Sequence, residues 1–402
     1  MRRILVLTSI YPGDDVPGNF TPVVHYFTRE WIQMGYEIRV INYVTNFPKP
    51  YYFISRFISS FLASRFGFPV RSNELREREY EFEGVPVFRI AMKKVLPHRP
   101  HSKSQLGIAE KKTISYLATV GFTPDVIVSH WYNPQVDIMS YLKEYYKVPS
   151  CYVCHSSNPA KHFSVDSVKR QLGDCNLIGY RSKHIKESVE SMYGISTPSF
   201  MCYSGIPKSF IKDYPPRSFD EVERFIFVGN LIKRKYPSRI IESLAKSYKD
   251  SFFEMRYIGT GDEQNEIIDK AREYNVLDRI RFLGRLPRED VIGQMENSDV
   301  FIMISKGETY GLVYLEAMAR GCITIASKNE GFDGIIKNGY NGFLCDAGDS
   351  EGLLHIINHI RLMTPKERQI ISKNAYETAV SMTDDKMANA YLGFLDELVE
   401  KA

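Results

Sequence analysis

Residues 307–321 have the sequence GETYGLVYLEAMARG and follow a strongly apolar run at residues 299–304. That run has the length and composition of a buried parallel strand. Gly311 interrupts the pattern, apolar residues then recur at helical spacing, and Gly321 is of the residue type that commonly ends a helix. The stretch therefore predicts a strand, a tight turn and a helix, the repeating unit of an α/β fold.

Two carboxylates, Glu308 and Glu316, stand at the turn and on the helix. The start of a helix presents free N–H groups and the positive end of the helix dipole, which suit a phosphate. A diphosphate with a sugar at each end would need such amides and one acid for the hydroxyls of each sugar. A glutamate on a helix is more often simply solvated, so the pair is a hypothesis about a binding site.

Length and charge limit the class of protein. With 402 residues the chain is long enough for two domains, and a net charge of +4 gives no reason to expect nucleic acid. Arg2 and Arg3 precede only a strand-length apolar run, and no apolar run approaches the length of a membrane span. The six cysteines stand in apolar surroundings, as reduced thiols do. We expect a cytoplasmic protein.

One cysteine motif has two interpretations. Residues 151–155 read Cys-Tyr-Val-Cys-His, which matches the attachment pattern of a c-type haem. That chemistry belongs to exported proteins, and the segment alternates like a strand after Pro149. We interpret it as a strand that ends in His155.

Strand and helix patterns alternate along both halves of the chain, as in parallel sheets. We predict an α/β fold with two doubly wound Rossmann-like domains, at residues 1–210 and 211–380, which face a central cleft. Residues 381–402 form a final helix that packs back on the first domain. The dinucleotide pattern G-x-G-x-x-G is absent between the first strand and the first helix, so an NAD site is not supported.

Two segments of the first half have an unusual composition. Residues 51–70 interleave aromatic residues with Arg56 and Arg65, which fits either an interfacial helix or a helix packed inside the domain. Residues 93–103 carry several cations and no acid, which fits anionic lipid headgroups, a phosphorylated acceptor or a solvated loop. Peripheral contact with a membrane is therefore one expectation.

Five motifs give the chain a resemblance to a known family. The C-terminal half supplies an E-x7-E pair, a turn of the form FLGxv and a strand entry of the form dGxnGfL. The N-terminal half supplies a strand of the form DvvhxH and a glycine loop. They stand at Glu308 and Glu316, 282–286, 338–344, 125–130, and Pro17-Gly18. In these motifs the chain resembles the retaining GT-B-fold glycosyltransferases of family 4, also called glycosyl transferases group 1.

The resemblance implies specific roles. Glu308 would hold the hydroxyls of the donor sugar, Glu316 the ribose, and Lys235 the diphosphate. His130 would lie near the reacting carbon, which makes His130, Lys235 and Glu308 the expected catalytic residues. Further donor-binding residues are expected at Gly18, Asn230, Arg234, Arg285, Thr309, Tyr310, Gly311 and Leu312. Of these, Arg285 would meet the base through its main chain.

The chain departs from the family pattern in two places. Asn230 stands where the family often has arginine, and Arg234 would have to supply that charge. The later Gly-Gly loop reads Glu330-Gly331, and Gly334 stands where a glutamate is usual. These departures affect the detail of the donor loop.

The resemblance implies transfer of a sugar, with retention, from a UDP- or GDP-linked donor to a saccharide or polyprenyl-linked acceptor. No Asp-x-Asp pair occurs, so no metal is expected. Aromatic and basic N-terminal segments favour a role in cell-envelope polysaccharide synthesis. A sugar-nucleotide epimerase or glycan phosphorylase on the same fold is an alternative, as is a non-catalytic glycan- or nucleotide-binding subunit.

Overall fold

The computed structural model describes residues 2–16, 21–52, 73–94, 100–161, 163–214 and 218–402. Gly18 lies outside these ranges, as does the aromatic segment apart from residues 51 and 52. The basic segment is described at 93–94 and 100–103. Membrane contact through these two segments therefore stays a prediction.

The first sheet contains eight strands in the described chain. They are β1 (Arg3–Thr8), β2 (Glu37–Asn46), β3 (Arg78–Phe82), β4 (Val85–Lys93), β5 (Val126–His130), β6 (Ser150–Cys154), β7 (Leu177–Tyr180) and β8 (Ser199–Met201). Their order is β3-β4-β2-β1-β5-β6-β7-β8. β3 runs antiparallel to β4, whereas β1 is parallel to both its neighbours. Ile4 to Leu7 are buried, as expected of a central strand covered on both faces.

Helices connect these strands. They are α1 (Val23–Gln33), α2 (Lys103–Thr119), α3 (Gln135–Tyr146), α4 (Val165–Gly173) and α5 (Lys183–Tyr193). Ser102 caps α2 by accepting a hydrogen bond from the Gln105 amide, so the helix begins at Lys103. The hairpin of β3 and β4 was not predicted, because charged residues occupy most of β3.

The second sheet contains six strands among the described residues. They are β9 (Arg224–Val228), β10 (Glu254–Ile258), β11 (Ile280–Gly284), β12 (Val300–Met303), β13 (Ile323–Ser327) and β14 (Phe343–Cys345). Their order is β11-β10-β9-β12-β13-β14, and all neighbours are parallel. The helices are α6 (Pro237–Ser247), α7 (Gln264–Glu273), α8 (Arg288–Glu296), α9 (Leu312–Ala319), α10 (Ser350–Leu362), α11 (Pro365–Ser381) and α12 (Asp384–Glu400).

The strand, turn and helix predicted at residues 299–321 are confirmed. β12 is buried at all four positions, Gly311 precedes α9 with a φ of 87°, and Gly321 follows it with a φ of 69°. A side chain on Gly311 would collide with the ring of Tyr314, since its Cβ would lie 2.5 Å from a ring carbon. The turn therefore requires glycine both for its backbone conformation and for space.

The chain passes between the domains twice, side by side. Ile206 donates to the Met382 carbonyl (3.1 Å) on the first passage and accepts from the Asp384 amide (2.9 Å) on the second. Helix α12 then lies on the first domain, where Tyr391 shares an apolar cluster with Trp31. The Trp31 indole donates to the Ala388 carbonyl (3.1 Å). Among the described residues, no helix is both long and apolar enough to cross a bilayer.

Asp384 stands at this junction and gives a prediction about stability. Burial raises the pKa of Asp384 to about 6, against the opposing effect of Arg29, and one carboxylate oxygen lacks a hydrogen bond. When the pKa of a carboxyl group is higher in the folded than in the unfolded protein, the folded protein loses stability as the pH rises between those two pKa values. The loss is about 1.4 kcal/mol per unit of difference in pKa. We expect Asp384→Asn to gain melting temperature relative to wild type between pH 4 and pH 7.

Asp385 is the matched control for that variant. The neighbouring Thr383 side chain lowers the pKa of Asp385, so Asp385→Asn should lose stability at neutral pH instead. Melting temperatures measured by differential scanning calorimetry at both pH values test the pair. If the melting temperatures of wild type and Asp384→Asn change in parallel with pH, the raised pKa of Asp384 is contradicted.

Candidate functional site

A cleft of about 860 Å³ lies between the two domains. Both sheets contribute the loops that follow the carboxyl ends of their strands, which is where ligands bind in open α/β sheets. From the first domain the lining includes Gly13, His25, Tyr26, Arg29 and Glu83, and from the second Gly229, Lys235, Arg288, Glu308, Gly311, Leu312 and Glu316.

Lys235 and Glu308 meet at the floor of the cleft. Lys235 ends a single 3₁₀ turn after β9, and its Nζ lies 3.7 Å from Glu308 Oε2. Burial lowers the pKa of Lys235, and the nearby Glu308 carboxylate partly offsets this effect. Gly229 makes room for the amine, since a Cβ there would lie 2.8 Å from Nζ. A largely buried ammonium beside one carboxylate is suited to receive a second anion.

Glu308 is held by its backbone and leaves its carboxylate available. Its amide donates to Glu330 Oε2 (2.8 Å), while its own Oε2 is buried without a hydrogen bond in the described structure. Gly331 packs against the same turn, because a Cβ there would lie 2.4 Å from the Tyr310 nitrogen. The Glu330-Gly331 sequence, a departure from the family pattern, thus fixes the turn that carries Glu308.

The Glu316 carboxylate is hydrogen-bonded to Arg288, a residue that no sequence motif predicted for the site. Arg288, at the start of α8, donates from Nε to Glu316 Oε1 (2.9 Å) and also makes a shorter contact through Nη2. Its guanidinium lies over the Phe210 ring at 4.4 Å and reaches Tyr26 of the first domain at 3.5 Å. No motif marked Arg288, because the contact spans 28 residues and depends on packing of α8 beside α9.

The other predicted donor residues divide into two groups. Thr309 donates through its hydroxyl to the His155 carbonyl (3.3 Å), and Tyr310 donates to the Ser204 carbonyl (2.7 Å), so both side chains join the domains. Leu312 lines the cleft at the start of α9. Arg234 lies 3.8 Å from Glu308 Oε2.

Asn230 and Arg285 are exposed and lie outside the residues that line the cleft. Arg285 donates to the Thr260 hydroxyl (3.1 Å). The structure therefore brings Lys235, Arg234, Glu308, Gly311, Leu312 and Glu316 together, and it leaves these two side chains at the margin.

His130 ends β5 as predicted but is not among the residues that line the cleft, so its contact with the donor sugar stays a prediction. It is the last residue of β5 and fully buried, near the rings of Phe27 and Tyr391. It shares a 3.0 Å hydrogen bond with His155, and burial lowers the pKa of His130 to about 3. The side chain therefore points into the packing beneath α1 and α12.

The wall contributed by the first domain is a hydrogen-bonded chain. Tyr11 contacts His25 Nδ1 at 3.0 Å, and His25 Nε2 contacts Glu83 Oε2 at 2.9 Å. Arg29 lies 3.5 Å from the same carboxylate. Burial lowers the pKa of His25, an effect that Glu83 opposes. This wall offers donors and acceptors opposite the Lys235–Glu308 pair.

The described residues contain no group of three or more His, Cys, Asp or Glu that could hold a metal ion. Cys151 and Cys154 are buried on β6, as the strand interpretation of that segment predicts.

Comparison with known proteins finds one family model and two relatives that match this chain. A family model described as glycosyl transferases group 1 matches residues 212–378. The N-acetyl-alpha-D-glucosaminyl L-malate synthase of Bacillus anthracis is 30% identical over 128 residues, 32% of this chain and 33% of that protein. An uncharacterized glycosyltransferase of Methanocaldococcus jannaschii is 25% identical over 322 residues, 76% of this chain and 86% of the relative. The chain thus spans about a third of the first relative and most of the second.

A solved structure gives the same fold. Anabaena HepE in complex with UDP superposes with a TM-score of 0.69 at 17% identity, covering 99% of this chain and 100% of that one. The GT-B architecture expected from the resemblance is therefore confirmed. The likenesses support a place in the glycosyltransferase superfamily, with the group 1 signature at residues 212–378 on a chain that has the GT-B fold throughout.

Proposed function

We propose that this protein is a retaining glycosyltransferase that moves a sugar from a UDP- or GDP-linked donor to a saccharide or lipid-linked saccharide, without a metal ion. The observation that carries the proposal is the Lys235–Glu308 pair beside the amino end of α9, inside a cleft between two Rossmann-like domains. A cation and a helix N-terminus suit a diphosphate, and a buried carboxylate oxygen without a hydrogen bond suits sugar hydroxyls.

The transfer follows from this arrangement. The acceptor hydroxyl oxygen bonds to the anomeric carbon on the face from which the diphosphate leaves, so configuration is retained. The bond between that carbon and the diphosphate oxygen breaks, and the proton of the acceptor passes to the departing diphosphate. Lys235, with Arg234 near it, stabilises the charge that develops, as preorganised donors do in other enzymes.

The acceptor would lie against the wall of the first domain. His25, Glu83 and Arg29 line that side of the cleft, where they offer the mixed donors and acceptors that a saccharide requires. We place the reaction in the synthesis of envelope polysaccharide, at the cytoplasmic face of a membrane. Lys93, at the end of β4, and Lys94 after it support this location, because cations suit anionic lipid headgroups.

Nucleotide binding is the first expected result. Ligands that bind the native state raise its melting temperature according to their concentration and affinity. At 100 times Kd, one nucleotide sugar should stabilise the fold by about 2.7 kcal/mol. A panel of UDP- and GDP-linked sugars, each with and without EDTA, identifies the donor. A shift that EDTA abolishes would contradict metal independence.

Release of the nucleoside diphosphate separates the alternatives. A transferase releases it only when an acceptor is present, whereas an epimerase converts the donor with no acceptor and a phosphorylase requires inorganic phosphate. A non-catalytic subunit would bind the donor and release nothing under any of these conditions. Retention is read from the anomeric signal of the product by NMR.

A further inference from the structure

A second cavity, of about 730 Å³, opens at the carboxyl edge of the first sheet. Its lining comes from the ends of β2 and β4 and the residues before α2, and it shares no residue with the interdomain cleft. Three lysines face it, Lys49, Lys93 and Lys94, whereas Glu74 is the acid among its described lining residues.

The register of the strands brings these lysines together. Asn46 at the end of β2 pairs with Lys93 at the end of β4, and the Lys94 amide donates to the Asn46 carbonyl (2.9 Å). Lys49 follows three residues after Asn46. Because both strands end here in parallel, their cations collect at one point of the edge where ligands bind in α/β sheets.

Glu74 lines the same cavity, but it forms no ion pair with any of the three lysines in the described structure. No ion pair involves Lys49, Lys93 or Lys94 among the described residues, and burial lowers the pKa of Lys94 with no acid to offset it. The undescribed stretches 53–72 and 95–99 contain no aspartate or glutamate in the sequence.

The cavity wall is held in place by hydrogen bonds. Asn46 donates to the Leu75 carbonyl (2.8 Å) and accepts from the Leu75 amide (3.2 Å). The Lys93 amide donates to Gln105 of α2 (3.1 Å), and His101 contacts Asn133 at 3.3 Å. Burial lowers the pKa of His101 to about 4, so its ring is neutral at pH 7. These bonds fix the backbone from which the lysine side chains extend.

We propose that this cavity binds a phosphate group carried by the acceptor, through Lys49, Lys93 and Lys94. This proposal rests on the proposed function, because it names a chemical class of acceptor for that glycosyl transfer. Several ammonium groups around one pocket are suited to a phosphate mono- or diester. A soluble sugar phosphate and a phospholipid or polyprenyl headgroup share this chemistry.

The test uses the full-length protein and inorganic pyrophosphate as the probe, titrated by calorimetry in a Lys235→Ala background, because Lys235 belongs to the cleft that is proposed to hold the diphosphate of the donor. Adding Lys49→Gln/Lys93→Gln/Lys94→Gln to that background should weaken binding of the probe at least tenfold, whereas adding Lys366→Gln, an exposed lysine of α11, should leave it unchanged. Equal affinity with and without the three lysine substitutions, or no binding in the Lys235→Ala background, would overturn the proposal.

Two further arms identify the source of the phosphate. Flotation with vesicles of phosphatidylglycerol, against phosphatidylcholine, reports a lipid headgroup, and competition by glycerol phosphate reports a soluble ester. Either arm supports the site if the triple variant loses the signal. If neither pyrophosphate, vesicles nor glycerol phosphate binds, the phosphate site is rejected. If no nucleotide sugar binds, the proposed function is rejected instead.

Discussion

Lys235→Ala should lower kcat by about a hundredfold or more, while the Kd for the nucleoside diphosphate rises by a smaller factor. Removing one preorganised donor from a developing anion typically costs about 10²–10³ in kcat. The Lys235 ammonium is largely buried and lies 3.7 Å from Glu308, whereas Arg234, 3.8 Å from the same carboxylate, is partly exposed to water and should compensate only in part. Steady-state kinetics with the identified donor measures the change.

Lys233→Ala is the matched control for that variant. Lys233 belongs to the same 3₁₀ turn but is exposed, so its removal should leave kcat within about twofold, as for surface substitutions generally. Arg234→Ala should fall between the two, because its guanidinium is partly exposed and 3.8 Å from Glu308. Equal losses in Lys233→Ala and Lys235→Ala would show that the turn acts through its fold alone.

Periodicity accounts for the parts of the fold that the sequence predicted. The apolar run of β12, the glycine at 311 and the helical spacing of α9 are local signals, and each appears where predicted. The hairpin of β3 and β4 lacked such a signal. Three of the five residues of β3 are charged, and as an edge strand it is covered by less protein than a central strand.

His130 shows why side-chain direction was harder to predict than strand position. All five residues of β5 are buried, so both faces of the strand are covered by protein and its burial pattern gives no sign of which face meets the cleft. Arg288 shows a second limit. Its contact with Glu316 depends on how two helices pack, and a sequence motif that records only Glu316 contains no information about that partner.

Glu308→Gln is the second variant with a large expected effect, at least tenfold in kcat/KM. The amide keeps the size of the side chain but removes the charge that faces Lys235 and replaces a carboxylate oxygen with a donor. Bonds from sugar hydroxyls to a charged acceptor are worth about 1.5–3 kcal/mol, which corresponds to a loss of tenfold or more.

Deoxygenated donors distinguish a direct contact of Glu308 with the sugar from an effect through Lys235. If Glu308 accepts a hydrogen bond from one hydroxyl, a donor that lacks this hydroxyl should already have lost the interaction. Glu308→Gln should then cost far less with that donor, because coupled groups are not additive. Glu330→Gln, which changes only the group that holds the Glu308 amide, should act about equally on every donor. A constant loss for Glu308→Gln across all deoxygenated donors would mean that Glu308 serves to position Lys235 and does not touch the sugar.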